Sequence, residues 1–175
     1  MVKKLSLLVV LCLVTLSLSM MTFAQGDDTI IKSKDTKDTS EFMVTITRPE
    51  GDESTFKQSY VICGNSSMEN IRVRLLIYDE LTRTYEDFEN TEGKSSWDIG
   101  ISGIFMKEVI LPKEDANKIR IVAYNKNKAL KDCVLSKDLQ VNTFTITVID
   151  SGIKDSIKGG YFRITDVLNN LFGSK

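Results

Sequence analysis

Histidine is absent from this chain of 175 residues, and proline occurs only twice. Histidine is the side chain that most often serves as general base and among the commonest metal ligands, so its absence argues against many hydrolases and zinc sites. Lysine and arginine number 23 against 24 acidic residues, which leaves a net charge of −1. That balance offers no basic surface for nucleic acid or for an anionic membrane. We therefore expect no catalytic residues, no metal and no cofactor.

Residues 1–24 have the pattern of a secretory signal peptide. Lys3 and Lys4 precede an apolar run that ends at Leu18, and Ala24 is a small residue at the expected cleavage point. The run is shorter than the roughly 20 residues that a membrane-spanning helix needs. We therefore expect cleavage near Ala24, a mature chain without a transmembrane segment, and a location that is secreted, extracellular or associated with the cell envelope.

Cleavage there would leave two of the three cysteines, Cys63 and Cys133. In an exported protein such a pair can form one disulfide, which over a loop of this length would stabilise the fold by roughly 4 kcal/mol. The alternative is two separate buried thiols that behave as small apolar side chains. The sequence leaves both alternatives open, because it does not show whether the two residues meet.

Residues 25–40 are polar and aperiodic, which is typical of a flexible leader. From Glu41 onward apolar and polar residues alternate, as in half-buried antiparallel strands. About seven strands follow, at 43–47, 56–63, 71–78, 96–101, 105–111, 118–124 and 139–149. Short alternating strands without helices between them predict an all-β antiparallel sandwich over residues 41–150.

Short motifs in residues 41–150 resemble the bacterial immunoglobulin-like domains of exported and cell-surface proteins. These motifs are ITRPEG at 46–51, YVICG at 60–64, Trp97, LP at 111–112 and NKIRIVAY at 117–124. The resemblance implies an immunoglobulin-like sandwich with a binding, spacer or adhesive role and a buried Trp97. That family has no catalytic residues to transfer. The chain departs from its pattern between Trp97 and Leu111 and in the long connection before the last strand.

The tail, residues 151–175, has a helical pattern instead. Its apolar residues recur at the spacing of one face of a short amphipathic helix. They are Ile164, Val167, Leu168, Leu171 and Phe172. A helix of about ten residues is not stable alone, so we expect this face to be buried. It can pack against the chain's own sandwich, against a partner chain or, less favourably, against a membrane interface.

Three further features are candidate ligand or catalytic sites. Tyr78 and Tyr124 fall on the outward phase of their strands and could stack on sugar rings, which makes carbohydrate binding an alternative function. The six carboxylates of residues 79–92 suggest calcium binding or a small hydrolase, but their spacing matches neither. Ser-x-x-Lys motifs begin at Ser54 and Ser151, beside strands rather than on the helical turn that this chemistry needs. Our leading hypothesis is a secreted or cell-surface, non-catalytic binding module for an extracellular protein or polysaccharide.

Overall fold

The computed structural model describes residues 28–150 and Gly152, and this part of the chain forms a sandwich of two β-sheets. A short helix, α1 (Thr29–Lys32), and a 3-10 turn (Leu130–Asp132) accompany the strands. The strands are β1 (Thr45–Arg48), β2 (Glu53–Thr55), β3 (Ser59–Asn65), β4 (Ile71–Asp79), β5 (Thr84–Asp87), β6 (Ser96–Asp98), β7 (Ile104–Ile110), β8 (Ala116–Asn125) and β9 (Leu139–Val148).

The smaller sheet has the strand order β1-β3-β7, and the larger has the order β2-β9-β8-β4-β5, with β6 also paired to β4. Every pair is antiparallel except β2 with β9. The predicted all-β class is confirmed, and each predicted strand overlaps a strand of the structure. Strands β2 and β5 escaped prediction because three or four residues are too few to show an alternation. The predicted signal peptide and the predicted helix that begins near Ile164 lie outside the described residues.

The main core lies between the two sheets, where each strand turns alternate side chains inward. From the smaller sheet it receives Tyr60, Ile62, Phe105 and Val109, and from the larger Val73, Leu75, Ile119 and Ile121. Trp97 packs against this core, with its ring centre 5.9 Å from that of Phe105. It is only partly buried, contrary to expectation, because β6 is a short strand at the edge of the larger sheet.

A second apolar cluster covers the outer face of the larger sheet. Strand residues such as Leu76, Val122 and Val141 meet Ile31 and Leu130 there. Residues 28–40, which the sequence analysis interprets as part of a flexible leader, are therefore packed onto the sheet. Ile31 has no exposed surface at all, so burial of a single isoleucine anchors an otherwise polar segment.

The contact between the end of β3 and the start of β7 requires a glycine. The N–H of Ser66 donates to the carbonyl oxygen of Gly103 at 2.7 Å, and Gly103 has a φ of +68°. A Cβ at position 103 would lie 2.5 Å from the carbonyl oxygen of Ser66.

We therefore expect Gly103→Ala to lower the free energy of unfolding by about 1–3 kcal/mol, the usual cost of such backbone strain. Urea denaturation measures this loss. Gly100→Ala is the matched control, because no atom lies within 4 Å of a Cβ at position 100. An equal loss in both variants would contradict this account of Gly103.

Candidate functional site

Four of the six carboxylates of residues 79–92 are engaged in ion pairs, namely Glu80, Glu86, Asp87 and Glu92. Asp87 pairs with Arg74 at 2.7 Å, and Glu92 pairs with Lys107 at 3.0 Å. The hydrogen bond from Arg74 lowers the pKa of Asp87, and that from Lys107 lowers the pKa of Glu92. A general acid at neutral pH needs the opposite shift, so these pairs stabilise the fold and are poorly suited to acid–base catalysis. Among the described residues, no cluster of three or more potential ligands is arranged to hold a metal ion.

The two tyrosines considered for sugar stacking lie on the outer face of the larger sheet. Tyr124 is buried in the second apolar cluster, and only 9% of its surface is exposed. Tyr78 is partly buried, and the centre of its ring lies 5.3 Å from the centre of the Tyr85 ring. Lys118 Nζ lies 5.5 Å from the centre of the Tyr78 ring. A sugar platform needs open ring faces, and these two rings are packed against neighbours. They do not form an exposed pair.

A buried cation holds the covering segment on this face. Arg120 is 2% exposed, and its guanidinium lies 3.7 Å from the centre of the Tyr85 ring. Its Nη1 donates to the carbonyl oxygens of Ile31 and Ser33, both at 2.7 Å, and Nη2 donates to that of Thr36 at 3.4 Å. Burial lowers the pKa of Arg120, and these charge-assisted bonds offset part of the cost of desolvation.

Ion pairs fasten the same segment at its surface. Lys32 Nζ lies 2.8 Å from Glu86, and Arg74 lies 2.7 Å from Asp28. The hydrogen bond from Lys32 lowers the pKa of Glu86. The outer face of the larger sheet is thus closed by a segment held at several points, which makes it a poor docking surface.

Cys63 and Cys133 are both free, so the structure does not contain the disulfide that the pair was considered to form. Cys63 is partly exposed on the outward side of β3, whereas Cys133 belongs to the cluster on the outer face of the larger sheet. The thickness of the sandwich therefore separates them. Cys133 is buried, as the alternative interpretation expected, and burial raises the pKa of its thiol.

The outward side of β7 presents large apolar side chains to solvent. Ile104, Met106 and Ile110 are 63%, 67% and 51% exposed, while Phe105 and Val109 between them are buried in the core. On the neighbouring strand β3, Val61 and Cys63 lie directly opposite Glu108 and Met106. We call the surface formed by Val61, Cys63, Ile104, Met106 and Ile110 the β7 face.

The sequence analysis missed the β7 face. Both phases of β7 are apolar, so the alternation does not show which phase faces the core. The usable signal was the excess of apolar residues over what one buried side of a strand requires.

A cleft of about 600 Å³ adjoins the start of β7. It is lined by residues 66–70 and 98–101 together with Gly103 and Lys126. Met68 and Ile101 expose further apolar surface there. The carboxylate of Asp98 is neutralised by Arg72 at 2.7 Å and by Lys126 at 3.6 Å. The cleft thus lies next to Gly103, the residue before β7, and the charge of Asp98 within it is paired.

Replacing the buried guanidinium tests its role in holding the segment. Arg120→Lys keeps the charge but loses the planar fork that reaches three carbonyl groups. Because hydrogen bonds to charged groups contribute about 1.5–3 kcal/mol, we expect amide exchange in residues 29–38 to rise by about tenfold or more. Hydrogen–deuterium exchange with mass spectrometry measures this. Arg72→Lys, an exposed arginine, is the control, and equal exchange in the two variants would contradict the assignment.

The two thiols should react at different rates in the folded protein. Cys63 is accessible, whereas Cys133 is buried and has a raised thiol pKa, so N-ethylmaleimide should modify Cys63 first. Mass spectrometry of a chain that begins at residue 25 follows the reaction. Cys63→Ser should remove the fast phase and Cys133→Ser should retain it. A disulfide-linked pair of peptides containing the two residues would contradict the structure.

Among residues 28–150, no helix is long and apolar enough to cross a bilayer. No family model matches the chain, and no curated protein matches it. Among solved structures, WR4, a C. elegans MSP family member, is similar at a TM-score of 0.38 and 8% sequence identity, over 62% of this chain and 99% of that one. At this level the likeness assigns the chain to no family.

Proposed function

We propose that this protein is a non-catalytic interaction module that binds another protein chain through the β7 face. The observation that carries the proposal is the exposed row of Ile104, Met106 and Ile110 on a strand whose alternate residues already fill the core. Exposed apolar surface that is contiguous and rimmed by polar residues marks contact sites in soluble proteins. Covering such a row removes apolar area from water at about 25 cal/mol per Å².

The chemistry of the β7 face favours a protein partner over a sugar. Its side chains are aliphatic or contain sulfur, and no aromatic ring is among them. Methionine is flexible and polarisable, and it adapts to irregular apolar partners. Glu108 lies on the same outward side of β7, between Met106 and Ile110. Its hydrogen bond with Ser59 on β3 places one polar pair within the face.

We also propose that the two sheets have an immunoglobulin-like arrangement and that the protein acts outside the cytoplasm. An immunoglobulin-like arrangement of the two sheets suits a module that acts by contact alone. The signal peptide expected at residues 1–24 would export it, so we place its partner outside the cytoplasm, in solution or on the cell envelope.

Site-specific photocrosslinking tests the proposal. With p-benzoylphenylalanine at position 106, irradiation in the extracellular fraction should give a protein adduct. The same probe at Leu81, an exposed residue at the far end of β4, should not. Met106→Glu should weaken capture by a probe at position 104 by about tenfold, the effect of one hot-spot side chain. Identical adducts from positions 81 and 106, or none from either, would overturn the proposal.

A further inference from the structure

Among the described residues, no strand pairs with β7 on the side away from β3. Leu111 donates to the carbonyl of Gln58 at 2.8 Å, and Gly103 accepts from Ser66 at 2.7 Å. In an antiparallel pair, bonded and non-bonded positions alternate, so the odd-numbered residues of β7 face β3 and the even-numbered ones point outward. Thr91 occupies one outward carbonyl, that of Glu108, at 2.9 Å. Ser102 Oγ accepts from the N–H of Ile104 at 3.4 Å. Among the described residues, the carbonyl of Ile104 and both outward groups of Met106 remain for a further strand.

In the described part of the chain, other contacts block further strand pairing at the edges of the larger sheet. Side-chain oxygens accept from the outward N–H groups of β9, and a segment from residues 28–40 bridges β5. The contacts are Asp38 with Thr143 at 3.0 Å, Asp52 with Thr145 at 2.7 Å, and the bridge between Ser33 and Thr84. Strands β2 and β6 are edge strands of only three residues each, whereas β7 has seven.

The other edge of the smaller sheet is closed as well. Glu41 accepts from the N–H of Ile46 at 3.2 Å. The buried amide oxygen of Gln140 accepts from the N–H groups of Met43 and Val44 at 2.7 and 2.9 Å. Gln140 also donates to the carbonyl of Val44 at 2.8 Å. Proteins block sheet edges in this way against unwanted pairing. In the described part of the chain, β7 differs because the carbonyl of Ile104 and both outward groups of Met106 lack such a partner.

We propose that Ile104–Met106 of β7 pairs antiparallel with the same stretch of a second copy of this chain. The pairing joins the two smaller sheets edge to edge, on a twofold axis at Phe105. This inference rests on the proposed function, because it uses the β7 face as the contact surface, and it names the partner.

Self-complementarity favours a second copy and fixes the register. With the axis at Phe105, Ile104 lies opposite Met106 of the second copy, Lys107 lies opposite Gly103, and no like charges face each other. An axis at Met106 would need the Glu108 carbonyl that Thr91 already occupies. An axis at Lys107 would place that lysine opposite itself. The symmetric contact uses the same edge of β7 in both copies and leaves no further edge of this kind, so association stops at a dimer.

Disulfide cross-linking between engineered cysteines tests this register directly. Cys63→Ser is the background, because Cys63 lies opposite Met106 on β3 and would pair with a cysteine placed there. Bonded antiparallel partners have Cα atoms about 5.5 Å apart, which a disulfide spans. A mixture of Ile104→Cys and Met106→Cys chains should therefore form covalent dimers about tenfold faster than either alone. Leu81→Cys is the control.

Met106→Pro isolates the backbone contribution. The N–H of Met106 points away from β3, so proline at this edge position preserves the fold, which circular dichroism checks. The symmetric contact loses this bond twice, and we expect the dimer dissociation constant to rise about tenfold relative to Met106→Ala. Sedimentation of the chain from residue 25 onward, tail included, measures it.

Three results would overturn the inference: a monomer at every concentration, faster cross-linking of Met106→Cys alone than of the mixture, or equal association of the proline and alanine variants. A monomer whose position 106 still cross-links to a different protein would refute the second copy and leave the proposed function intact. A monomer without any adduct at position 106 would refute both, and would leave the chain's own residues 153–175 as the candidate cover of the face.

Discussion

The larger sheet is apolar on both faces, and the rest of the structure follows from that constraint. Ile121 and Val122 are neighbours on β8, point to opposite faces and are both buried, as are Leu75 and Leu76 on β4. A sheet of this kind has to be covered twice. The smaller sheet covers the inner face. Residues 28–40 and the connection between β8 and β9 cover the outer one.

Covering an apolar face with a polar segment creates a difficulty that Arg120 resolves. Residues 28–40 bury one isoleucine completely, which is too little apolar area to order a dozen residues against their conformational entropy. The guanidinium of Arg120 lies under the segment and donates hydrogen bonds to backbone carbonyls of the segment that would otherwise be unsatisfied. The same contacts satisfy the buried cation. Segment and cation therefore depend on each other, and neither position would be stable without the other.

The sequence predicts what depends on alternation and misses what depends on long-range polar contacts. The alternation around Ile71–Ile77 and Ile119–Tyr124 placed β4 and β8 correctly, and with them the all-β class. The fold of residues 28–40 was missed because a run of Asp, Lys, Ser and Thr resembles disorder until a partner such as Arg120, 84 to 89 positions away from the residues it contacts, is known. Tyr124 was placed on the correct phase, but its burial depends on a connection whose path no local pattern reveals.

The smaller sheet differs from the larger one in the side chains of its outward face, and this difference bears on function. On β1 the outward residues Thr45 and Thr47 are polar, as expected of a face open to water. On β7, in the same sheet and on the same side, three of the four outward residues are apolar, Ile104, Met106 and Ile110, and the fourth is Glu108. Apolar side chains thus gather at the edge that has no pairing strand among the described residues, while a polar side chain such as Glu41 closes the opposite edge. The proposed strand addition would account for both features of β7: an extended chain that adds to the sheet needs the open backbone groups, and it gains further from the apolar row beside them.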